Sequence, residues 1–335
     1  MAAEQSRRAL VAPDSFKGTM GSAEVAAALA AGFETAGWQV VTCPLADGGE
    51  GTAEALRLGL GGRRVAVEAS DPLGRRVEAG YTLLAGAEAA VVEVAEASGL
   101  WRLEASELDP LAATSRGTGE LIAHAAQRAS SVLVAVGGSA TNDGGAGAVA
   151  AIADAGGLGQ VKLTCLCDVT TPWERATRVF APQKGASPAV VAELEARMEK
   201  LAVSLPRDPR GVEGGGAAGG LAGGLWACLG AELRGGASYV CDALGVDSHI
   251  SAAALVVGGE GRLDNTTLEG KVLAVLARRC READRPLHAV VGCDASDAAV
   301  RDELSLSSIS EAGDVEALER AAAALAGQAD RPARP

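Results

Sequence analysis

Between Val132 and Gly147 the chain reads VLVAVGGSATNDGGAG. An apolar run, Val132 to Val136, stops at Gly137, and polar and glycine residues follow almost without a break. An alanine-rich run, Ala146 to Ala155, comes next. A short apolar run bounded by glycine reads as a buried strand and the alanine-rich run as a helix, so the stretch predicts strand, tight loop and helix start. Ser139, Thr141, Asn142 and Asp143 bring hydroxyl, amide and carboxylate groups into that loop. Its glycines let backbone amides approach a ligand closely. Free amides at a helix N-terminus favour an anion, and an Asn or Asp cap is the plainer reading of a single loop of this kind.

The arrangement recurs, and recurrence favours a binding role. A strand over Arg8–Ala12 ends in Pro13-Asp14-Ser15-Phe16-Lys17-Gly18, and a helix follows from Ser22 to about Ala36. A second strand, Gln39–Leu45, ends in Asp47-Gly48-Gly49-Glu50-Gly51-Thr52, with a helix from Ala53 and a third strand at Val65–Glu68. This alternation predicts right-handed parallel crossovers in one sheet. The character changes at Asp71-Pro72-Leu73-Gly74, after which Val77–Leu84 and Ala89–Val94 read as an antiparallel pair. Thr114 to Glu120 opens a helix, Val161–Leu166 is a strand ending in Cys167-Asp168, and Gln183-Lys184-Gly185 precedes a charged helix, Ala189–Leu201. Gly214 to Gly224 reads as a loop feeding a buried helix. Leu255–Val257 is a strand ending in a loop from Gly258 to Asp264, and strand–helix alternation then resumes to Ala326.

The expected fold is α/β with two α/β domains. Residues 1–70 and 253–335 would form a discontinuous Rossmann-like parallel-sheet domain, and residues 71–252 an inserted α/β domain carrying the GGSATNDGG loop. The tail from Asp330 is expected to be disordered. A length of 335 residues agrees with two domains. Aromatic residues are only 3% of a chain that is 48% hydrophobic, so the cores must be built from Ala, Val and Leu.

A formal net charge of −13 without a basic stripe argues against nucleic acid. It leaves phosphate ligands open, because local amides, lysines and a metal ion can hold them. No apolar run has membrane-spanning length, and MAAEQSRRAL is followed by no apolar signal core, which predicts a cytoplasmic protein. The seven cysteines form no CxxC pair and lie far in sequence from the three histidines, so they read as small core residues in a reducing compartment and not as a zinc site.

In open α/β sheets ligands bind at the carboxyl ends of strands. Asp14, Asp47, Asn142, Asp143, Asp168, Glu260 and Asp264 would collect there, and a cleft between two domains would receive both sets. Lysines are scarce, yet Lys17, Lys184 and Lys271 each adjoin a glycine in such a loop. Clustered carboxylates repel one another unless a cation sits among them. Carboxylates, lysines and glycine-rich helix starts are the parts phosphoryl transfer needs. Each residue also has a plainer reading: Asp14 and Asp47 as turn formers, Lys17 and Lys184 as solvated lysines, Glu260 as a partner of nearby amides. Gly270-Lys271 lacks a following Ser or Thr and is no Walker A loop. No strand leads into a clean GxGxxG, which argues against a nucleotide-linked dehydrogenase.

Eight ordered strings resemble bacterial glycerate kinases of the type that forms 2-phosphoglycerate: APDSFKGT, PLADGGEGT, DPLGR, TSRGTGELI, GGSATNDGGAG, PQKGA, GAAGG and GEGRLD. They run from Ala12 to Asp264. The resemblance implies ATP- and Mg²⁺-dependent transfer of the γ-phosphoryl group to D-glycerate by two α/β domains around a cleft. On that reading Lys17, Asp47, Lys184 and Asp264 are candidate catalytic residues, with both lysines neutralising charge on the phosphoryl oxygens. Asp47, Asp168 and Asp264 are candidate Mg²⁺ ligands. Asp14, Ser15, Glu50, Ser139, Asn142, Asp143, Glu260 and Arg262 are candidates for holding substrate or phosphate, Arg262 through the glycerate carboxylate. The sequence departs from the family's usual pattern in a short connection at Ala155–Gly159, and in Thr171, Thr266 and Gly258, where Asn, Gln and Thr are usual. Those departures leave a related small hydroxy acid open as acceptor. A non-catalytic small-acid sensor would be marked by loss of the charged loop residues, which are present. No oligomeric state follows from the sequence.

Overall fold

A computed structural model describes residues 7–330. The expected disorder beyond Asp330 lies outside the described residues. In chain order the strands are β1 (Arg8–Val11), β2 (Gln39–Thr42), β3 (Gly62–Ser70), β4 (Arg76–Leu84), β5 (Ala89–Glu93), β6 (Ser131–Ala135), β7 (Lys162–Cys167), β8 (Glu232–Gly235), β9 (Leu255–Leu263), β10 (Leu287–Asp294) and β11 (Ser308–Glu311). The chain divides into two compact units, 1–47 with 237–335, and 48–236.

The first unit holds a parallel sheet in the order β11-β10-β9-β1-β2. The chain leaves β1 for β2 on one side, whereas β9 continues to β10 and β11 on the other. The winding direction therefore reverses between β1 and β9, and the crevice beyond their carboxyl ends is where such sheets bind ligands. On one face the helices Ser22–Thr35 and Val315–Ala329 pack together. Val25, Leu29 and Phe33 meet Leu318, Ala322 and Leu325 in a core of mostly small aliphatic side chains, as the scarcity of aromatics requires.

The second unit holds a sheet in the order β3-β4-β5-β6-β7-β8, antiparallel from β3 to β5 and parallel from β5 onward. The helices Arg116–Ala126 and Ala146–Asp154 approach so closely that a Cβ on Gly119 would fall 2.3 Å from the Ala148 carbonyl oxygen. The short connection after Asp154 turns through Gly156, Gly157 and Gly159, all at positive φ, where glycine alone is unstrained.

Several expectations are corrected. The strand predicted at Val65–Glu68 does not extend the first parallel sheet; as β3 it pairs antiparallel with β4 along its whole length and belongs to the second unit. The second boundary also falls earlier than residue 253. The helices Gly236–Ala243 and Val246–Ala252 were not foreseen, and buried Arg279 of the Val272–Glu282 helix bonds Asp242 at 2.6 Å and Asp247 at 2.8 Å. Those ion pairs tie both helices to the first unit. Finally, β9 runs on through the string read as a loop, because Gly258 to Leu263 keep pairing with β10. No helix among the described residues is long and apolar enough to cross a membrane.

Candidate functional site

In the first unit the sheet ladder continues past the ends of its strands. The Cys43 N–H donates to the Val11 carbonyl at 2.8 Å and Leu45 to Pro13 at 2.9 Å; Ala12 donates to Val257 at 2.8 Å and Asp14 to Gly259 at 2.9 Å. These bonds run the segments after β2 and β1 alongside each other and alongside β9. Asp47, Asp14 and Glu260 are thereby carried to one place at the carboxyl ends of three adjacent strands. Gly261 permits it: a Cβ there would sit 3.2 Å from both the Lys17 nitrogen and the Phe16 Cα.

The three carboxylates are buried, at 5%, 3% and 6% exposure for Asp14, Asp47 and Glu260. They line a cavity of about 330 Å³ together with Ser15, Lys17, Arg262 and Lys271. Burial, reinforced by the Asp47 charge, pushes the Asp14 carboxyl up to about 7, against the pull of the Ser15 N–H and Lys17. Burial likewise pushes Glu260 up to about 7, although the Thr267 hydroxyl donates to it at 2.8 Å and the Lys271 ammonium stands 3.9 Å away. Lys17 Nζ lies 3.2 Å from Asp47 Oδ2. The pocket thus sets two acids that titrate near neutrality among three cations, an arrangement able to accept a hydroxyl proton and to hold an anion.

Asp264 lies just past β9 and is turned to local work. Its Oδ1 accepts from the Thr266 N–H at 3.0 Å and from the Thr266 hydroxyl at 2.6 Å, capping the short helix Asn265–Glu269. Those bonds hold its carboxyl below the usual range.

In the second unit the Gly137–Gly145 loop follows β6, as its sequence predicts. A Cβ on Gly138 would fall 2.3 Å from Glu50 Oε1 and one on Gly137 3.2 Å from Asp168 Oδ2, so both carboxylates rest against this backbone. Ser139 and Thr141 bond each other, hydroxyl to hydroxyl, at 3.0 Å. Asp143 accepts from the Ser115 N–H and hydroxyl at 2.8 Å each, from Gly145 N–H at 3.0 Å and from Gly147 N–H at 3.2 Å. These bonds anchor the loop. Lys184 is 3% exposed and donates to the Thr141 carbonyl at 2.6 Å. Burial lowers its amine to about 7, opposed by Asp143 and Asp168. Asn142 is 4% exposed, and neither its amide oxygen nor its amide nitrogen has a hydrogen-bond partner. Each such group costs about 1–3 kcal/mol.

Of the residues selected from sequence, Asp14, Ser15, Lys17, Asp47, Glu260 and Arg262 line the first unit's cavity, with Asp264 beside it. Glu50, Ser139, Asn142, Asp143, Asp168 and Lys184 belong to the second unit. The proposed ligand trio of Asp47, Asp168 and Asp264 is therefore divided between units, and among the described residues no group of three or more His, Cys, Asp or Glu is arranged to hold a metal ion. Lys271 and Thr267 were given no role from sequence, although Lys271 carried the signal of a lysine beside a glycine. Glu93 carried no signal. It ends β5, accepts from the Ala53 N–H at 2.8 Å, and is pushed up to about 7 by burial.

The Glycerate kinase family model matches residues 9–155 and 154–333, two stretches that meet at the short connection. The chain is 37% identical over 329 residues to the glycerate 2-kinase of Escherichia coli (strain K12), covering 87% of this chain and 86% of that one. It is 35% identical to the glycerate kinase of Bacillus subtilis (strain 168), covering 84% of each. A solved structure named for glycerate kinase 2 of Salmonella typhimurium LT2 superposes with a TM-score of 0.79 at 35% identity, covering 96% of this chain and 97% of that one. An α/β enzyme of the kinase class is what fold and relatives define together. The chain belongs to the glycerate kinase family.

Proposed function

We propose that this kinase transfers the γ-phosphoryl group of ATP to D-glycerate, forming 2-phosphoglycerate, and that the first unit's cavity is where the acceptor hydroxyl is activated. One observation carries the reading: Asp14 and Glu260, buried and titrating near 7, adjoin Lys17, Lys271 and Arg262 where the winding of the parallel sheet reverses. Asp14 takes the proton of the attacking hydroxyl. Lys17 and Lys271 draw the charge that develops on the phosphoryl oxygens. Arg262, whose side chain is 62% exposed, pairs with the glycerate carboxylate through its guanidinium fork.

Mg²⁺ bound with phosphates takes only one or two protein carboxylates, so a three-residue cage is not required. Asp47 fits it by chemistry: it is a hard oxygen donor, and its charge bears on Asp14 in a buried setting that a cation would relieve. Bound there, the ion would neutralise phosphate charge. Asp264 and Asp168 are left as a helix cap and a loop partner. Seven free cysteines support a reducing compartment such as the cytoplasm. A related hydroxy acid is the second reading, favoured by Thr266, whose hydroxyl accepts at 2.7 Å from Lys271, a residue that lines the cavity.

The test is a coupled assay of ADP release across small hydroxy acids, with the product's phosphate position read by phosphorus NMR. D-glycerate should give the highest kcat/KM and a phosphate on its secondary hydroxyl. Faster turnover with another acid would move the assignment to that acceptor.

A further inference from the structure

β3 ends the second unit's sheet. β4 pairs with one of its edges along all nine residues, and among the described residues no strand pairs with the other edge. The two ends of the hairpin fix which backbone groups face that open edge. The Gly61 carbonyl accepts from the Ala85 N–H at 3.1 Å, and the Asp71 N–H donates to the Arg75 carbonyl at 2.8 Å. The register between them is unbroken, so odd-numbered residues turn their polar groups toward β4 and even-numbered residues turn theirs outward. One end of the edge is covered by side chains: the Ser70 N–H donates to Glu120 at 2.7 Å, and the Glu68 carbonyl accepts from Arg76 at 2.7 Å. Arg64 and Ala66 are exposed, and their outward groups leave the middle of the edge open.

The residues about that point read Arg64-Val65-Ala66-Val67-Glu68, a string that complements itself when reversed. Laid antiparallel on a second copy, with Ala66 facing Ala66, each valine meets a valine and each Arg64 meets a Glu68. Opposed residues lie on the same face of a sheet, so those charges are neighbours. The acidic end has use for another cation: exposed Glu68 and Glu78 are directly opposed across β3 and β4, and like charges so placed repel. Arg76 meets part of that need, bonding Glu68 at 2.9 Å. Arg64 holds Glu96 at 2.7 Å with its side chain half exposed, and its five donors can serve a second carboxylate. Val65 and Val67 are half-buried against the core, and facing valines would cover the rest. The helix Thr52–Leu60 runs into β3 with Leu58 and Leu60 exposed, which adds apolar surface beside the start of the edge. We propose that two copies of this chain pair antiparallel along β3, about a two-fold axis at Ala66, and so join their sheets. An open edge is a template for any free strand, and the order of charges on this one selects its own copy.

Sedimentation velocity of the full-length chain over a concentration series tests the pairing. The wild type should sediment at twice the mass of one chain. Arg64→Glu and Glu68→Arg each set like charges against each other at both symmetric positions, and each should raise the dimer Kd by about tenfold or more. Mixed in equal amounts, the two variants should associate where neither does by itself, because every facing pair then has opposite signs. Ala66→Pro removes an outward N–H that the fold does not use, so it should leave a folded monomer. Circular dichroism checks the fold of each variant, and the proline variant carries the test should a charge variant not fold. A monomeric wild type, an unchanged Kd in the folded variants, or a mixture of folded charge variants that stays monomeric overturns the pairing.

Discussion

Lys17 and Asp47 stand 30 positions apart in the chain, yet Nζ of one lies 3.2 Å from Oδ2 of the other. The pair is lopsided: the lysine side chain is 64% exposed and the aspartate 4%. A buried carboxylate is thus neutralised in part by a cation that stays in water. Such a cation can swing to an incoming phosphate without itself being desolvated.

Replacing Lys17 by Ala should lower both catalysis and stability. Loss of a charge stabiliser lowers kcat by about 100-fold or more, and the melting temperature falls because buried Asp47 loses this cation. Steady-state kinetics beside a thermal melt reads both quantities. Near-normal kcat in the K17A protein would remove Lys17 from the chemistry.

Asp14 makes a prediction with a definite pH window. Its carboxyl titrates near 7 in the folded chain, against an ordinary value of 3.8. Between those values the folded state keeps a proton that the unfolded state has lost, so stability falls as pH rises from about 4 to about 7. Glu260 adds to the same slope. Asp14→Asn cannot ionise, so urea unfolding at pH 8 should find it more stable than the wild type by on the order of a few kcal/mol, with a smaller gap at pH 5. Wild-type kcat/KM should rise through pH 7 as the base ionises, and D14N should lose about 100-fold or more of it. A D14N variant as active as the wild type would point to another base.

How much of this was legible beforehand differs by residue. Glycine-bounded apolar runs marked most strands, and the polar residues after β1, β2 and β6 marked the loops, because strand ends and loop chemistry are local properties. Glu260 was expected on a loop and stands in β9. Its glycine-rich surroundings read as a loop, whereas there they let β9 continue while the Phe16–Lys17 segment passes over Gly261. The fate of β3 depended on its partner, β4, and a pairing partner is not written in a strand's own residues. The local partners of Asp143 and Asp264, Ser115 and Thr266, appear only in the folded chain. Glu93 was invisible because its burial is set by contacts distant in the chain.

Asp143 should behave as an anchor. Replacing it by Ala strands the Ser115 N–H and hydroxyl and the Gly145 and Gly147 amides that now converge on it. Stability should drop by about 2–4 kcal/mol, since buried donors left without an acceptor are costly. Urea unfolding should register that loss, and activity should fall with it. An equally active D143A protein with wild-type stability would contradict the role.

Lys184 offers the opposite sign in a different window. Burial lowers its amine to about 7 from an ordinary 10.5, so between those values the unfolded chain binds the proton that the folded chain has released. Stability from this group is therefore least below pH 7 and rises toward pH 10. Lys184→Met loses the 2.6 Å bond to the Thr141 carbonyl but also the need to bury a charge. Compared with the wild type it should fare best at pH 7 and lose ground by on the order of a few kcal/mol as pH approaches 10. The titrations of Asp14 and Glu260 are largely complete by pH 8, so unfolding both proteins at pH 8 and pH 9.5 isolates the lysine. A stability difference that stays flat across that interval would mean that the buried amine keeps its proton throughout.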